Sequence, residues 1–175
     1  AAKELLALYD IPVTREALAT DVDSAVAGAK QIGYPVVLKV ESPDILHKTE
    51  SGGIALDLQS ADEVRKAFEQ IMERVTTYAP NARIDGILVQ EMAPAGRELI
   101  LGMSQDPSFG PTIAVGLGGV FVEVLKDVQL GVPPIDDRTA NEMLSRLRGR
   151  AILDGTGARG TGPADTEELV RILQN

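Results

Sequence analysis

Apolar positions fall at helical spacing in some stretches of this chain and run continuously or alternate in others. Leu5, Leu6 and Leu8 place a short helix over residues 2–9, and Ile11, Pro12 and Val13 follow as an extended exit. Asp21 caps a second helix, in which Val22, Ala25, Val26 and Ala29 keep the 3.6-residue period until Gly33 stops it. Residues 35–40, PVVLKV, are too continuously apolar and β-branched for a surface helix and read as a buried strand. Pro43 then pushes Ser42 out of helical geometry and breaks the strand. Beyond Gly52 and Gly53, Ile54, Leu56 and Leu58 alternate with Ala55 and Asp57, the pattern of a half-buried strand. Ser60 with Glu63 forms a capping-box pattern ahead of Val64, Ala67, Phe68, Ile71, Met72 and Val75. That is the best-marked helix, and it reaches Thr77.

From Gly86 the pattern turns to β. Strands are expected over residues 86–92, 97–103, 111–117 and 119–125, separated by APAG, SQDPSFG and the Gly118-Gly119 pair. A further extended piece, DVQLGVPPI, ends at two prolines. Asp136 or Asp137 caps a helix carrying Ala140, Met143, Leu144 and Leu147, and Asp165 with Glu168 opens a last short helix through Leu173. Mixed elements come first, then a run of strands, then helices. That order indicates an α+β fold in two lobes rather than one doubly wound sheet.

Composition narrows the function. The chain has 175 residues, 44% hydrophobic but only 3% aromatic, so its core must be mostly aliphatic. A net charge of −9 argues against a nucleic-acid binder, which needs a basic groove and stacking aromatics. An anionic ligand has to be caught locally, by a few cations and backbone N–H groups. The lack of cysteine excludes disulfides and thiolate zinc sites. No apolar run approaches the roughly 18 residues of a membrane span, and no signal peptide opens the chain. The expected setting is therefore cytoplasmic, with no membrane or nucleic-acid partner.

Several motifs are excluded as well. No lysine follows a glycine, so there is no P-loop. GTGARG (155–160) matches GxGxxG but follows a helix-like segment with too little chain after it for a βαβ unit, and reads as a connector. Hydrolysis through Ser, His and Asp lacks a GxSxG elbow.

The residues left to carry chemistry cluster in two places. Lys39 lies within the apolar strand, either as a lysine snorkelling from the strand end or as a cation placed to neutralise a phosphate. His47, the one histidine, sits in the polar turn that follows. It is either a surface residue with no task or a neutral imidazole nucleophile that needs no base at pH 7. Lys48 beside it either stabilises a phosphate or is simply solvated. Gly52 and Gly53 form either a tight turn or a loop whose backbone closes on a ligand, and Gly116, Gly118 and Gly119 invite the same two readings. Glu91 and Glu98 flank the APAG turn, facing water or binding ribose hydroxyls beside a strand edge that holds adenine.

Four blocks, GYPVVLKVESPDILHKTESGG (33–53), GILVQEMAPAGRELILG (86–102), DPSFGP (106–111) and GLGGVFVEVLKDV (116–128), together resemble the ATP-grasp domain of NDP-forming acyl-CoA synthetases. This group includes ADP-forming acetate–CoA ligases and succinyl-CoA synthetase, and the resemblance runs in order along essentially the whole chain. It implies the ATP-grasp fold, with ATP or ADP held between an N-terminal lobe (1–88) and a C-terminal lobe (89–175). The implied reaction interconverts acyl-CoA, ADP and phosphate with acid, CoA and ATP through an acyl phosphate and a phosphohistidine. Lys39 matches the lysine on the nucleotide phosphates, and Gly52 and Gly53 the turn of the loop above them. Gln90, Glu91 and Met92 match the hinge that receives adenine, Glu98 the carboxylate on ribose, and His47 the histidine that relays the phosphoryl group. The principal phosphohistidine belongs to a CoA-ligase domain or subunit, which is the implied partner in an oligomeric complete protein.

The chain departs from the family pattern at three points. The acidic strand with an Asn-Pro element that supplies Mg²⁺ ligands would lie past Asn175, so the resemblance implies a piece truncated at both ends and inactive alone. QLGV (129–132) is neutral where a cation is often found, and GTGARG is two residues longer than the usual glycine–arginine turn. The last two leave a second reading open: a catalytically degenerate regulatory module, as in some protein acetyltransferases.

Overall fold

The structure, a computed structural model, describes residues 2–119, 126–156 and 162–175. They form two compact units, Val13–Pro94 and Ala1–Pro12 with Ala95–Asn175.

The first unit is a four-stranded antiparallel sheet in the order β1-β4-β2-β3, formed by Glu16–Ala19 (β1), Val36–Glu41 (β2), Ile54–Leu58 (β3) and Gly86–Glu91 (β4). Helices α2 (Val22–Ile32) and α3 (Ala61–Tyr78) supply its remaining elements, α1 belonging to the other unit. The two-residue repeat of the strands sorts their side chains. Val36, Leu38 and Val40 join Ile87 and Val89 in the core, packed with Ala25, Val26 and Ala29 of α2 and Val64, Phe68 and Ile71 of α3. Val37, Lys39, Glu41, Leu88 and Gln90 point to the opposite face.

Asp21 caps α2 by accepting the Ser24 N–H at 2.8 Å, and the Ser24 hydroxyl accepts the Asp21 N–H in return, closing a capping box. The box expected at α3 forms only by half. Ser60 accepts the Glu63 N–H, but the Glu63 carboxylate reaches the Gln59 N–H at 2.8 Å, one residue too early.

Two elements differ from the hydrophobic pattern. The register of β2 with β3 slips between Val36↔Leu58 and Leu38↔Ala55, where Asp57 takes φ +58°. This bulge turns Leu58 and Ala55 into the core and leaves Leu56 exposed, so simple alternation fails across the strand. Strand β1 carries no strong alternation and escapes the sequence reading. Pairing with β4 creates it.

In the second unit, β5 (Leu99–Asp106), β6 (Gly110–Leu117) and β7 (Val128–Gly131) form an antiparallel sheet in that order. Helices α4 (Asp137–Ser145), α5 (Arg150–Leu153) and α6 (Thr166–Gln174) follow in the chain. Its core joins Val115 and Leu117 with Ala140, Met143, Leu144, Leu153 and Leu173. The short α1 (Ala2–Leu8) buries no residue of its own, and the chain just beyond it is held by Arg171 and Asn175 donating to the Asp10 and Tyr9 carbonyls. The β5–β6 turn is tighter than the expected SQDPSFG loop, because Ser104 and Gln105 pair with Thr112 and Pro111. Asp106 closes it by accepting the Ser108 and Phe109 N–H groups. The strand expected over 119–125 and the rest of GTGARG lie largely outside the described residues.

Several carboxyls are held below their ordinary values. At Asp21 the first cause is the Ser24 N–H, at Asp106 the Phe109 N–H, at Asp136 the Thr139 hydroxyl and at Glu168 the Arg171 guanidinium. A pKa depressed by folding contributes stability that is complete above the unfolded value, about pH 4, and is lost as pH falls through the folded value. The urea midpoint is expected to hold from pH 7 to 5 and to drop below about pH 4, less so in the Asp21→Asn, Asp136→Asn variant. A variant curve that parallels the wild type would remove these two caps as the cause.

Candidate functional site

Lys39 sits near the end of β2, half-buried, on the sheet face away from α2 and α3. Its Nζ donates to Gln90 Oε1 at 2.6 Å, and Gln90 Nε2 donates to Thr14 Oγ1 at 2.5 Å. The strand order brings these three together. Gln90 lies on β4 between β1 and β2, opposite Glu16 on one side and Val37 on the other.

Past β2 the chain turns under its own hydrogen bonds. Ser42 is buried and accepts the Asp44 N–H, Asp44 accepts the Arg83 N–H, and Ile45 is anchored in the core. Leu46 and His47 then stand exposed at the surface, Leu46 at 82%. Lys48 leans back to Glu41 on β2, 2.8 Å away. His47 is thus presented outward on a connector whose two flanks are fixed.

The glycine pair has a local explanation. Gly52 takes φ +66°, and a Cβ on Gly53 would lie 2.4 Å from Val40 Cγ1. Their N–H groups donate to the Thr49 and Lys48 carbonyls. In this conformation the pair makes a tight turn against β2, and its amides are spent within the loop.

At the end of β4, Glu91 accepts from Nε and Nη2 of Arg15, at 3.2 and 3.1 Å, and also from the Arg15 backbone N–H. This pairing raises the Arg15 pKa, chiefly through the hydrogen bond to Glu91. The Met92 N–H donates to the Pro35 carbonyl. Residues 91 and 92 are therefore tied to the residues that lead into both neighbouring strands, and neither tie was visible in the sequence.

Glu98 belongs to the other unit. Its carbonyl accepts the Gly118 N–H at 2.6 Å, and its backbone and carboxylate crowd the positions where Gly118 and Gly119 would carry a Cβ, at 2.9 Å. The two glycines let β6 end against Glu98, which stays exposed. Among the described residues, no three His, Asp or Glu side chains gather into a metal-ligating group. No described helix is long and apolar enough to cross a membrane.

The sequence model of the ATP-grasp domain matches residues 1–175. This chain belongs to the ATP-grasp family. Within that family it is 44% identical over 172 residues to the beta subunit of ADP-forming acetate–CoA ligase I of Pyrococcus furiosus, covering 98% of this chain and 73% of that protein. The ADP-forming acetate–CoA ligase I of Archaeoglobus fulgidus is 47% identical over 169 residues, but this ATP-grasp domain spans only 24% of its length. The dinucleotide forming acetyl-coenzyme A synthetase 1 of Ca. Korarchaeum cryptofilum, solved with coenzyme A and Ca-AMPCP, superposes with a TM-score of 0.93 at 46% identity, covering 99% of this chain and 75% of that one. The same protein with coenzyme A and Mg-AMPPCP, its phosphohistidine segment pointing towards the nucleotide binding site, gives a TM-score of 0.84 at 42% identity over 99% and 73%. The α+β ATP-grasp fold expected from the sequence is thus borne out.

Sequence reasoning missed Thr14 and Arg15. Both lie in the short polar run Thr14–Glu16, 76 positions from their partners, and only the β1–β4 register reveals them.

Proposed function

We propose that this chain is the nucleotide-binding, phosphoryl-transferring part of an ADP-forming acid–CoA ligase. Its substrates are ADP or ATP, and its partner is a CoA-ligase domain or subunit that carries the principal phosphohistidine. The observation that carries this reading is Lys39, held across the sheet face by Gln90, in a chain homologous to such ligases over nearly its whole length. In this reading the lobes follow the compact units, Val13–Pro94 and Ala1–Pro12 with Ala95–Asn175.

In this assignment Lys39 meets the nucleotide phosphates, where a fixed cation offsets charge as the phosphoryl group moves. Gln90, Glu91 and Met92 border the adenine and Glu98 the ribose. Gly52 and Gly53 shape the loop beside Lys39 through the turn they permit. In the ATP-forming direction the P–N bond of a phosphohistidine breaks as a β-phosphate oxygen of ADP forms the new P–O bond, and the freed imidazole takes up a proton. In this reading His47, exposed on its braced connector, receives and passes on that phosphoryl group. Magnesium, when bound, bridges nucleotide phosphates and neutralises their charge. The described residues offer it no cage of their own. The cytoplasm is the proposed location. The neutral QLGV segment lies mostly in β7, the last of the three described strands of its sheet, and nothing about it specifically supports a degenerate module.

The test is ATP formation from acyl-CoA, ADP and phosphate by the complete protein that contains this chain, together with its CoA-ligase domain or subunit. His47→Ala is expected to lower turnover by about 10²–10⁴-fold, the range typical of a positioned catalytic side chain. ADP affinity should stay within about twofold of wild type. Unimpaired turnover would remove His47 from the relay, and lost ADP binding would make it a binding residue instead.

A further inference from the structure

Gln90 can satisfy Lys39 in only one orientation. An ammonium donates hydrogen bonds and accepts none, so the amide oxygen must face Lys39 Nζ, as it does at 2.6 Å. The amide nitrogen is then turned towards β1, where it needs an acceptor, and Thr14 Oγ1 lies 2.5 Å away. A Gln90 amide turned the other way would set its NH₂ donors against the ammonium. Thr14 and Lys39 sit on opposite sides of β4, so the amide spans the central strand between them.

We propose that Thr14 is a positioning residue for Lys39, acting through the Gln90 amide. This rests on the reading of Lys39 as the phosphate-binding cation. It moves the Gln90 side chain from the adenine end of the site to the phosphate end and adds a residue that touches no ligand. The benefit is preorganisation. A lysine already held in one rotamer loses less freedom when a phosphate arrives than one sweeping through solvent. The hydroxyl is the part that matters, because valine has the same shape but accepts nothing.

The experiment compares Thr14→Val and Thr14→Ser by calorimetry with ADP and with adenosine, which lacks phosphates. Thr14→Val is expected to weaken ADP binding about three- to tenfold, the scale of one lost hydrogen bond between neutral groups, and to leave adenosine unchanged. Thr14→Ser should restore ADP affinity, and Thr14→Val should have no further effect once Gln90→Ala is present. In the unliganded chain, ¹³C relaxation of the Lys39 ε-carbon should show a restricted side chain in wild type and Thr14→Ser and a freer one in Thr14→Val. Equal ADP affinities, equal losses for ADP and adenosine, or an unchanged Lys39 ε-carbon would each overturn the proposal. A wild-type chain that binds neither ligand would instead refute the functional reading, and the relaxation measurement would still decide the role of Thr14.

Discussion

Lys39→Ala is expected to weaken ADP binding by about 10–100-fold, the loss of one or two charge-assisted hydrogen bonds to phosphate, while the chain stays folded. The physical case is one of placement. Lys39 shares a sheet face with Val37, Leu88 and Gln90, and its ammonium is carried on a strand whose other side is locked in the core by Leu38 and Val40. The base of the side chain is therefore rigid, and Gln90 restrains its tip. Lys39→Met separates charge from packing, since it keeps an apolar stem on the sheet. Calorimetry should show Met as damaging as Ala, with circular dichroism unchanged in both. If Met binds ADP as well as lysine does, Lys39 is a snorkelling strand-end residue and the phosphates are held elsewhere.

A large stability effect is expected at Gly53. An alanine Cβ there would lie 2.4 Å from Val40 Cγ1, 3.1 Å from the Ser51 hydroxyl and 3.2 Å from the Lys48 carbonyl. Val40 is fully buried and β-branched, so its methyl cannot swing aside without leaving its rotamer well. The backbone cannot easily retreat either, because the Val40 N–H donates to the Gly53 carbonyl at 2.8 Å. Gly53→Ala should cost about 1–3 kcal/mol in urea unfolding, as overpacking typically does. Adding Val40→Ala should recover part of that loss by relieving the clash, a coupling that a double-mutant cycle isolates. An unchanged urea midpoint in Gly53→Ala would show that the turn yields freely, returning the glycine pair to a ligand-facing role.

The two glycines show how far residue types can be read. Both readings of the pair, tight turn or ligand loop, were compatible with the sequence, and hydrogen bonding in the folded loop supports the turn. Glu91 is similar. It stood out as a carboxylate near a turn, yet its partner Arg15 lies on the approach to a strand that no local pattern announced.

Helix positions and caps, the buried run of β2 and the family membership were all legible in the chain itself. Each depends on neighbours within a few residues, or on motifs whose order survives without coordinates. Asp21, Ser60, Asp136 and Asp165 cap as expected because an N-cap bonds to a backbone N–H three residues on. The bulge at Asp57, strand β1 and the Thr14–Gln90–Lys39 chain were not legible. The partners of the last two come from strand pairing across 51 to 76 residues, and at the bulge one residue of register decides which face each side chain occupies. The sequence named Lys39 as the residue to watch. Only the folded sheet supplied what holds it.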